Sequence, residues 1–146
     1  MLECAPCQGG ISNMEYGIGE FSKITELSID TIRYYEKEGL IIPDRDENNR
    51  RVYEDCDIGW IDFIKKLKMT GMRLKDIKYY AQLRYEGDRT IDKRLELLYQ
   101  QADILFMKQK EVAEHIKYLY TKIDIYHHKL EEQHKNNNDD DSLRSA

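Results

Sequence analysis

The sequence places five polar or aromatic side chains in one short segment: Ser28, Thr31, Arg33, Tyr34 and Tyr35. Their hydroxyl and guanidinium groups donate hydrogen bonds of the kind that base edges and phosphate oxygens accept. The segment begins with a serine suited to cap a helix N-terminus and ends at Gly39, which suits a left-handed C-cap. We therefore expect a short helix over residues 28–39 whose donors can contact DNA. Because Tyr34 and Tyr35 are adjacent, only one of them can face the groove well, and the alternative for the other is a position partly in the core.

A second short helix is expected directly before this one. Phe21, Ile24 and Leu27 recur at helical spacing in and after residues 20–26. Two short helices joined by a tight turn, with donors on the first turns of the second helix, are typical of a helix-turn-helix DNA-binding unit.

A β-hairpin is predicted to follow the two helices. Two short extended pieces, residues 40–43 and 52–53, flank a stretch rich in turn formers. That stretch contains Asn48 and Asn49, and asparagine tolerates positive φ at a hairpin turn. Beside a helix-turn-helix, such a hairpin would be a wing.

The sequence from Ile91 onward repeats apolar residues at alternating steps of four and three. This heptad pattern predicts a coiled coil, and because an isolated helix cannot bury its apolar seam, we expect a homodimer. The alternative is one long helix folded against its own domain. The flanking charges alone leave parallel and antiparallel orientations open. The predicted dimerisation seam consists of Leu95, Leu98, Ala102, Leu105, Gln109, Val112, Ile116, Leu119, Ile123 and Tyr126.

The composition excludes several classes of protein. The chain has 146 residues, 40% of them apolar and 35% charged, and a net charge of −5. No apolar run reaches the roughly 20 residues that a membrane-spanning helix needs, and no signal peptide opens the chain, so we expect a cytoplasmic protein without a membrane partner. No catalytic constellation stands out, which argues against an enzyme. The negative charge means that DNA must be bound by a focused patch of cations.

Four regions are expected along the chain. Residues 1–13 form a flexible N-terminal extension, and residues 14–86 form a winged helix-turn-helix DNA-binding domain. Residues 90–134 form a coiled-coil dimerisation helix, and residues 135–146 form a disordered tail with three consecutive aspartates.

The segments 16–20, 31–41, 51–53 and 57–58, followed by a long helix, resemble the MerR family of bacterial transcription regulators. The resemblance implies a mainly α fold, with a winged helix-turn-helix DNA-binding domain followed by a long antiparallel coiled-coil dimerisation helix. It also implies binding to a pseudo-palindrome in double-stranded promoter DNA, which activators of this type distort so that RNA polymerase can engage the promoter.

The resemblance adds candidate contacts on the wing. Arg51 and Tyr53 match the arginine and tyrosine of the family's wing, and Arg50 adds a phosphate donor where the family often has an aromatic residue. Other positions also depart from the family pattern, and Gly17 stands where the family often has a threonine or serine at the start of the first helix. Glu26 replaces the glycine of the helix-turn-helix turn, and Asn49 replaces the glycine of the wing tip.

Cysteines are the first candidates for sensing a signal. The chain looks similar to the AdhR/NmlR-like branch of the family, but it has Lys66 where that branch places a reactive cysteine. Cys56 is a substitute candidate for a redox role, since a helix N-terminus stabilises a thiolate, although Asp55 and Asp57 oppose this. An inert thiol is the alternative.

Other sensing sites are weaker candidates. Three cysteines form no disulfide framework in a reducing compartment, and Cys4 with Cys7 is a single pair with redox or zinc spacing. We expect no metal site and no cofactor. Small apolar effectors could lodge among Tyr79, Tyr80 and Tyr85.

One function of a different class also fits the sequence. A coiled-coil module without specific DNA binding could bind a protein partner through its acidic, tyrosine-rich surface. The two hypotheses differ in whether Arg33 and Arg51 support salt-sensitive, sequence-specific DNA binding.

Overall fold

The computed structural model describes residues 14–145. The extension predicted over residues 1–13 lies outside the described residues. The helices are α1 (Ile18–Thr25), α2 (Ile29–Lys37), α3 (Asp55–Met69), α4 (Leu74–Glu86) and α5 (Ile91–Arg144), with a short 3-10 helix at Asp88–Thr90 before α5. The strands are β1 (Glu15–Tyr16), β2 (Asp44–Arg45) and β3 (Arg51–Glu54). The predicted fold class, a mainly α chain with a winged helix-turn-helix followed by a long helix, is confirmed.

The wing is the hairpin formed by β2, a turn and β3. Asp46 shapes its turn, because the Asp46 carboxylate accepts hydrogen bonds from the backbone of Asn48 (2.9 Å) and of Arg50 (2.8 Å). Asn49 has a φ of 59°, as expected for asparagine at this turn. β1 adds a third, antiparallel strand in the order β1-β3-β2. The sequence did not predict β1, since a strand of two residues shows no periodicity.

Local interactions define where the two helices of the helix-turn-helix begin and end. Ser28 caps α2, with its side-chain oxygen accepting the backbone N–H of Thr31 at 3.1 Å. Gly39, with a φ of 73°, lets the chain turn after α2, and the N–H of Leu40 donates to the carbonyl of Tyr35 at 2.9 Å. Glu26 ends α1 with a φ of 58°, so a non-glycine residue adopts the left-handed conformation of the turn.

A hydrophobic core fixes these elements against α3 and α4. Its buried members include Phe21 of α1, Ile32 of α2 and Trp60 of α3. The indole Nε1 of Trp60 donates to the carbonyl oxygen of Leu40 at 2.7 Å, which ties the loop after α2 to α3. The guanidinium carbon of Arg84 lies 4.4 Å from the centre of the Trp60 ring, within the range of a cation–π contact.

The chain forms two compact units, divided between Ala102 and Asp103. In the first unit, Leu97 and Leu98 from the start of α5 pack against the core. In the second unit, the described residues are all exposed. α5 continues to Arg144, whereas the sequence predicts a disordered tail from residue 135. Residues 135–144 contain no proline or glycine, so no strong helix breaker interrupts α5 there. Among the described residues, no helix combines the length and apolarity needed to cross a bilayer.

Candidate nucleic-acid interface

The first turns of α2 expose part of the predicted contact set. The side chain of Arg33 is 57% exposed and approaches Asp30 only at 3.9 Å. Tyr34 is 45% exposed. The hydroxyls of Ser28 and Thr31 lie 2.8 Å apart, so they form a hydrogen-bonded pair at the N-terminus of the helix. We call α2 the recognition helix, because this face offers a guanidinium and three hydroxyl groups to an incoming ligand.

Tyr35 does not belong to this face. It is only 2% exposed, and the Nζ atom of Lys68 donates to its hydroxyl oxygen at 2.7 Å. The prediction of a direct DNA contact by Tyr35 is therefore wrong. The reason is helical geometry: adjacent residues are about 100° apart around the axis, so Tyr34 and Tyr35 cannot share a face.

The wing presents its arginines but not its tyrosine. Arg50 is exposed, and Arg51 is half-buried. Tyr53 is fully buried, with its ring stacked on Phe21 at 4.1 Å and 3° between the ring planes. Burial raises the pKa of Tyr53 to about 12. The predicted direct contact of Tyr53 with DNA is therefore also wrong, because its side chain packs against α1.

Glu36 is a residue of this surface that the sequence reasoning missed. Its Oε1 atom accepts a hydrogen bond from Nη2 of Arg45 at 2.9 Å, and its Oε2 atom pairs with Nε of Arg51. The carboxylate thus joins the recognition helix to both strands of the wing. A sequence signal existed, since an acidic residue on a DNA-reading helix needs cationic neighbours to offset its repulsion of phosphates.

Three lysines of α3 and α4 contact the recognition helix or the residues directly before and after it. Lys68 of α3 contacts Tyr35, and its Nζ also lies 4.9 Å from the centre of that ring. Lys65 donates to the backbone carbonyl of Thr25 at the end of α1. Lys78 of α4 pairs with Glu38, just after α2. These cations hold elements together and are therefore poorly placed for phosphates.

A cavity of about 590 Å³ lies beside the end of the recognition helix. Tyr79 and Tyr85 line it, together with Gly39 and Ile42. The hydroxyl oxygen of Tyr85 accepts the backbone N–H of Ile42 at 3.0 Å, and burial raises the pKa of this phenol. Tyr80, the third tyrosine considered for an effector site, is buried in the core instead.

The bonding of Cys56 differs from what the sequence predicted. It lies in the first turn of α3, is buried, and is disulfide-bonded. Cys56 is therefore not the inert thiol considered as an alternative, whereas a single disulfide bond does not contradict the expectation that the cysteines form no disulfide framework. A redox role for Cys56 stays a prediction. Cys4 and Cys7 lie outside the described residues.

Asp57 is the other ionisable group at this end of α3. Its Oδ2 atom accepts the backbone N–H of Glu54 at 2.9 Å, which secures the start of the helix. Burial raises the pKa of Asp57 to about 6, against the opposing effects of that hydrogen bond and of nearby Arg84. No group of three or more His, Cys, Asp or Glu side chains in residues 14–145 is arranged to hold a metal ion.

Comparisons with known proteins agree with this geometry. A family model described as "MerR HTH family regulatory protein" matches residues 16–83. The HTH-type transcriptional regulator AdhR of Bacillus subtilis (strain 168) is 40% identical over 82 residues, which are 56% of this chain and 59% of AdhR.

Two solved structures cover most of the chain. HiNmlR, a MerR family regulator lacking the sensor domain and bound to promoter DNA, is 35% identical with a TM-score of 0.64, over 77% of this chain and 90% of that one. A MerR family transcriptional regulator from Bacillus thuringiensis is 34% identical with a TM-score of 0.59, over 75% of this chain and 97% of that one.

Proposed function

Because the chain belongs to the MerR HTH family of DNA-binding transcription regulators, we propose that it acts as a homodimer on a pseudo-palindromic site in a promoter spacer. The homodimer distorts this DNA in response to a stress signal or a small effector. RNA polymerase at the promoter is its functional partner. This function requires no catalytic step and no cofactor.

The observation that carries the proposal is the exposed seam of α5. Its members from Leu105 to Tyr126 are apolar apart from Gln109, and those six apolar side chains are between 39% and 58% exposed. Full burial of an exposed apolar side chain is worth roughly 1.5–3 kcal/mol, and covering the exposed half of each side chain in this row would contribute a corresponding share, so the helix gains stability from a partner. A second copy offers the same row, and heptad spacing lets the two rows interlock.

The second support is the exposed face of the recognition helix. Each subunit would present Arg33 and Tyr34 to base edges, with Ser28 and Thr31 at the helix N-terminus. Arg50 and Arg51 would contact phosphates from the wing. HiNmlR is bound to promoter DNA in its solved structure, which supports double-stranded promoter DNA as the ligand of this face. Two such faces in a two-fold dimer require a site with matching two-fold symmetry.

The proposal is tested by combining molecular mass with footprinting. Light scattering of the full chain should give twice the mass of the 17.5 kDa subunit. A duplex selected by the protein from a random-sequence pool should contain an inverted repeat, and hydroxyl-radical cleavage should show two symmetric protected regions. A folded monomer, or a selected duplex without an inverted repeat, would refute the proposal.

Activation and repression are separated by a transcription assay. With the selected site placed in a promoter spacer, the proposed DNA distortion should increase transcription by purified RNA polymerase. A decrease would assign the protein to repression.

A further inference from the structure

The carboxylate of Glu36 lies between two arginines that face each other across the wing. Arg45 of β2 and Arg51 of β3 are register partners in the antiparallel hairpin. Glu36 hydrogen-bonds to both, at 2.9 Å to Arg45 and at close range to Arg51. The recognition helix and both wing strands therefore share one charged contact.

Charge explains why this contact matters for the wing. Like charges directly opposite each other on neighbouring strands destabilise a sheet. A carboxylate between two guanidinium groups offsets this repulsion, and its charge-assisted hydrogen bonds are directional. The Glu36 side chain is 22% exposed and that of Arg51 28%, so solvent screens the contact only in part.

The same carboxylate, which stabilises the wing, weakens the binding of DNA. It lies on the helix that reads DNA, and a negative charge there repels phosphates of any sequence. It also competes with phosphates for the two arginines that it pairs with. Its electrostatic contribution to non-specific binding is therefore unfavourable.

We propose that Glu36 is a positioning residue that sets sequence specificity at the expense of affinity. By fixing Arg45 and Arg51 relative to the recognition helix, Glu36 lets phosphate contacts form only when Arg33 and Tyr34 meet the correct bases. This inference rests on the proposed DNA-reading function and adds a residue that need not touch DNA.

The test is a substitution that removes the charge and keeps the shape. Glu36→Gln should bind a scrambled duplex about three- to tenfold more tightly than the wild type, because two arginines become available for phosphates. The slope of log K against log salt on that duplex should steepen by up to about 1.8, at about 0.9 for each added phosphate contact. The ratio of affinities for the selected and scrambled duplexes should fall at least about fivefold.

Glu38→Gln is the matched control. It also removes a paired carboxylate near the end of the recognition helix, but its partner is Lys78 of α4 and not the wing. Its affinity ratio should stay within about twofold of the wild-type value. An equal fall in both variants would overturn the proposal, since charge alone would then explain the effect. An unchanged ratio in Glu36→Gln would overturn it as well.

Arg45→Gln provides a test if Glu36→Gln does not fold. It breaks the same link from the wing, and because it also removes a cation, both duplexes should bind more weakly. The ratio of affinities should still fall, and a ratio equal to that of the wild type would overturn the proposal. A wild-type protein that selects no sequence would instead refute the proposed function, so the two failures are distinguishable.

Discussion

The Nζ atom of Lys68 donates a 2.7 Å hydrogen bond to the hydroxyl oxygen of Tyr35, which binds α3 to the buried side of the recognition helix. Tyr34, the preceding residue, points to solvent. Two neighbouring tyrosines thus have separate tasks, one in stability and one in the proposed reading of DNA.

Alanine substitutions should separate the two tyrosines. Tyr35→Ala should lower the free energy of unfolding by about 3–5 kcal/mol, because it leaves a cavity where the buried ring was. Tyr34→Ala should change that free energy by less than about 0.5 kcal/mol, and should weaken binding to the selected duplex by about 1–2 kcal/mol. Urea denaturation measures the free energy of unfolding, and gel shift assays measure binding to the selected duplex. Equal losses of stability would contradict the assignment.

Tyr53→Phe should leave DNA binding unchanged. The hydroxyl of Tyr53 is buried and finds no hydrogen-bond partner among residues 14–145, whereas the ring stacks on Phe21. Removal of this hydroxyl should be neutral or should stabilise the protein by up to about 1 kcal/mol, and affinity for the selected duplex should stay within about twofold. Arg51→Gln, two residues earlier, serves as the positive control for lost affinity. A large loss with Tyr53→Phe would show that the phenol reaches DNA.

Glu26→Gly should stabilise the fold. Glu26 has a φ of 58°, a conformation that costs a non-glycine residue roughly 1–2 kcal/mol. Part of the gain is lost because glycine has more freedom in the unfolded chain, so we expect a net increase of about 0.5–1 kcal/mol in the free energy of unfolding. Lys23→Gly, within α1, should instead destabilise by about 1 kcal/mol. Two losses of similar size would mean that Glu26 makes a favourable contact that outweighs its backbone strain.

Asp57→Asn should change how stability depends on pH. The pKa of Asp57 is raised in the folded protein from 3.8 to about 6, so folding favours its protonated form. The protonated Asp57 carboxyl therefore contributes to the free energy of unfolding below pH 4. This contribution is lost as the pH rises to about 6, a change on the order of 2–3 kcal/mol. Asparagine still accepts the N–H of Glu54 but does not ionise.

The measurement for Asp57 is a series of urea titrations from pH 4 to pH 7. The free energy of unfolding of Asp57→Asn, relative to wild type, should rise across this interval. Asp55→Asn, an exposed position in the same turn, controls for the loss of a carboxylate. A constant difference between Asp57→Asn and wild type would refute the buried-carboxylate interpretation.

Disulfide trapping should reveal the orientation of the proposed dimer. In an antiparallel pair centred on the seam, Leu105 faces Ile116 of the partner subunit, whereas in a parallel pair Leu105 faces its own copy. In a background with Cys4, Cys7 and Cys56 changed to serine, the double variant Leu105→Cys with Ile116→Cys should form a covalent dimer under mild oxidation. Leu105→Cys alone should not. A covalent dimer from the single variant would indicate the parallel arrangement.

The helices were largely predictable because their signals are local. Ser28 and Gly39 mark the ends of the recognition helix, and the apolar stripe of residues 55–69 matches α3 at both ends. Such signals depend on neighbouring residues along the chain.

The errors at the candidate site have a different origin. Whether Tyr35 and Tyr53 face solvent depends on Lys68 and Phe21, which are distant in sequence. The contact of Glu36 with the wing likewise depends on how the hairpin folds back. The disulfide of Cys56 was not predicted, because an odd number of cysteines argues against a disulfide framework but says nothing about a single bond.

Trp60 is the only tryptophan of the chain, and it is buried beside Tyr80 and Arg84 in the first unit. Its emission spectrum therefore reports on that unit alone. The circular dichroism signal at helical wavelengths comes in large part from the 54 residues of α5. The native sequence thus carries two optical probes and needs no added label. Thermal unfolding followed by both signals would tell whether the winged helix-turn-helix domain and the long helix unfold together or one after the other.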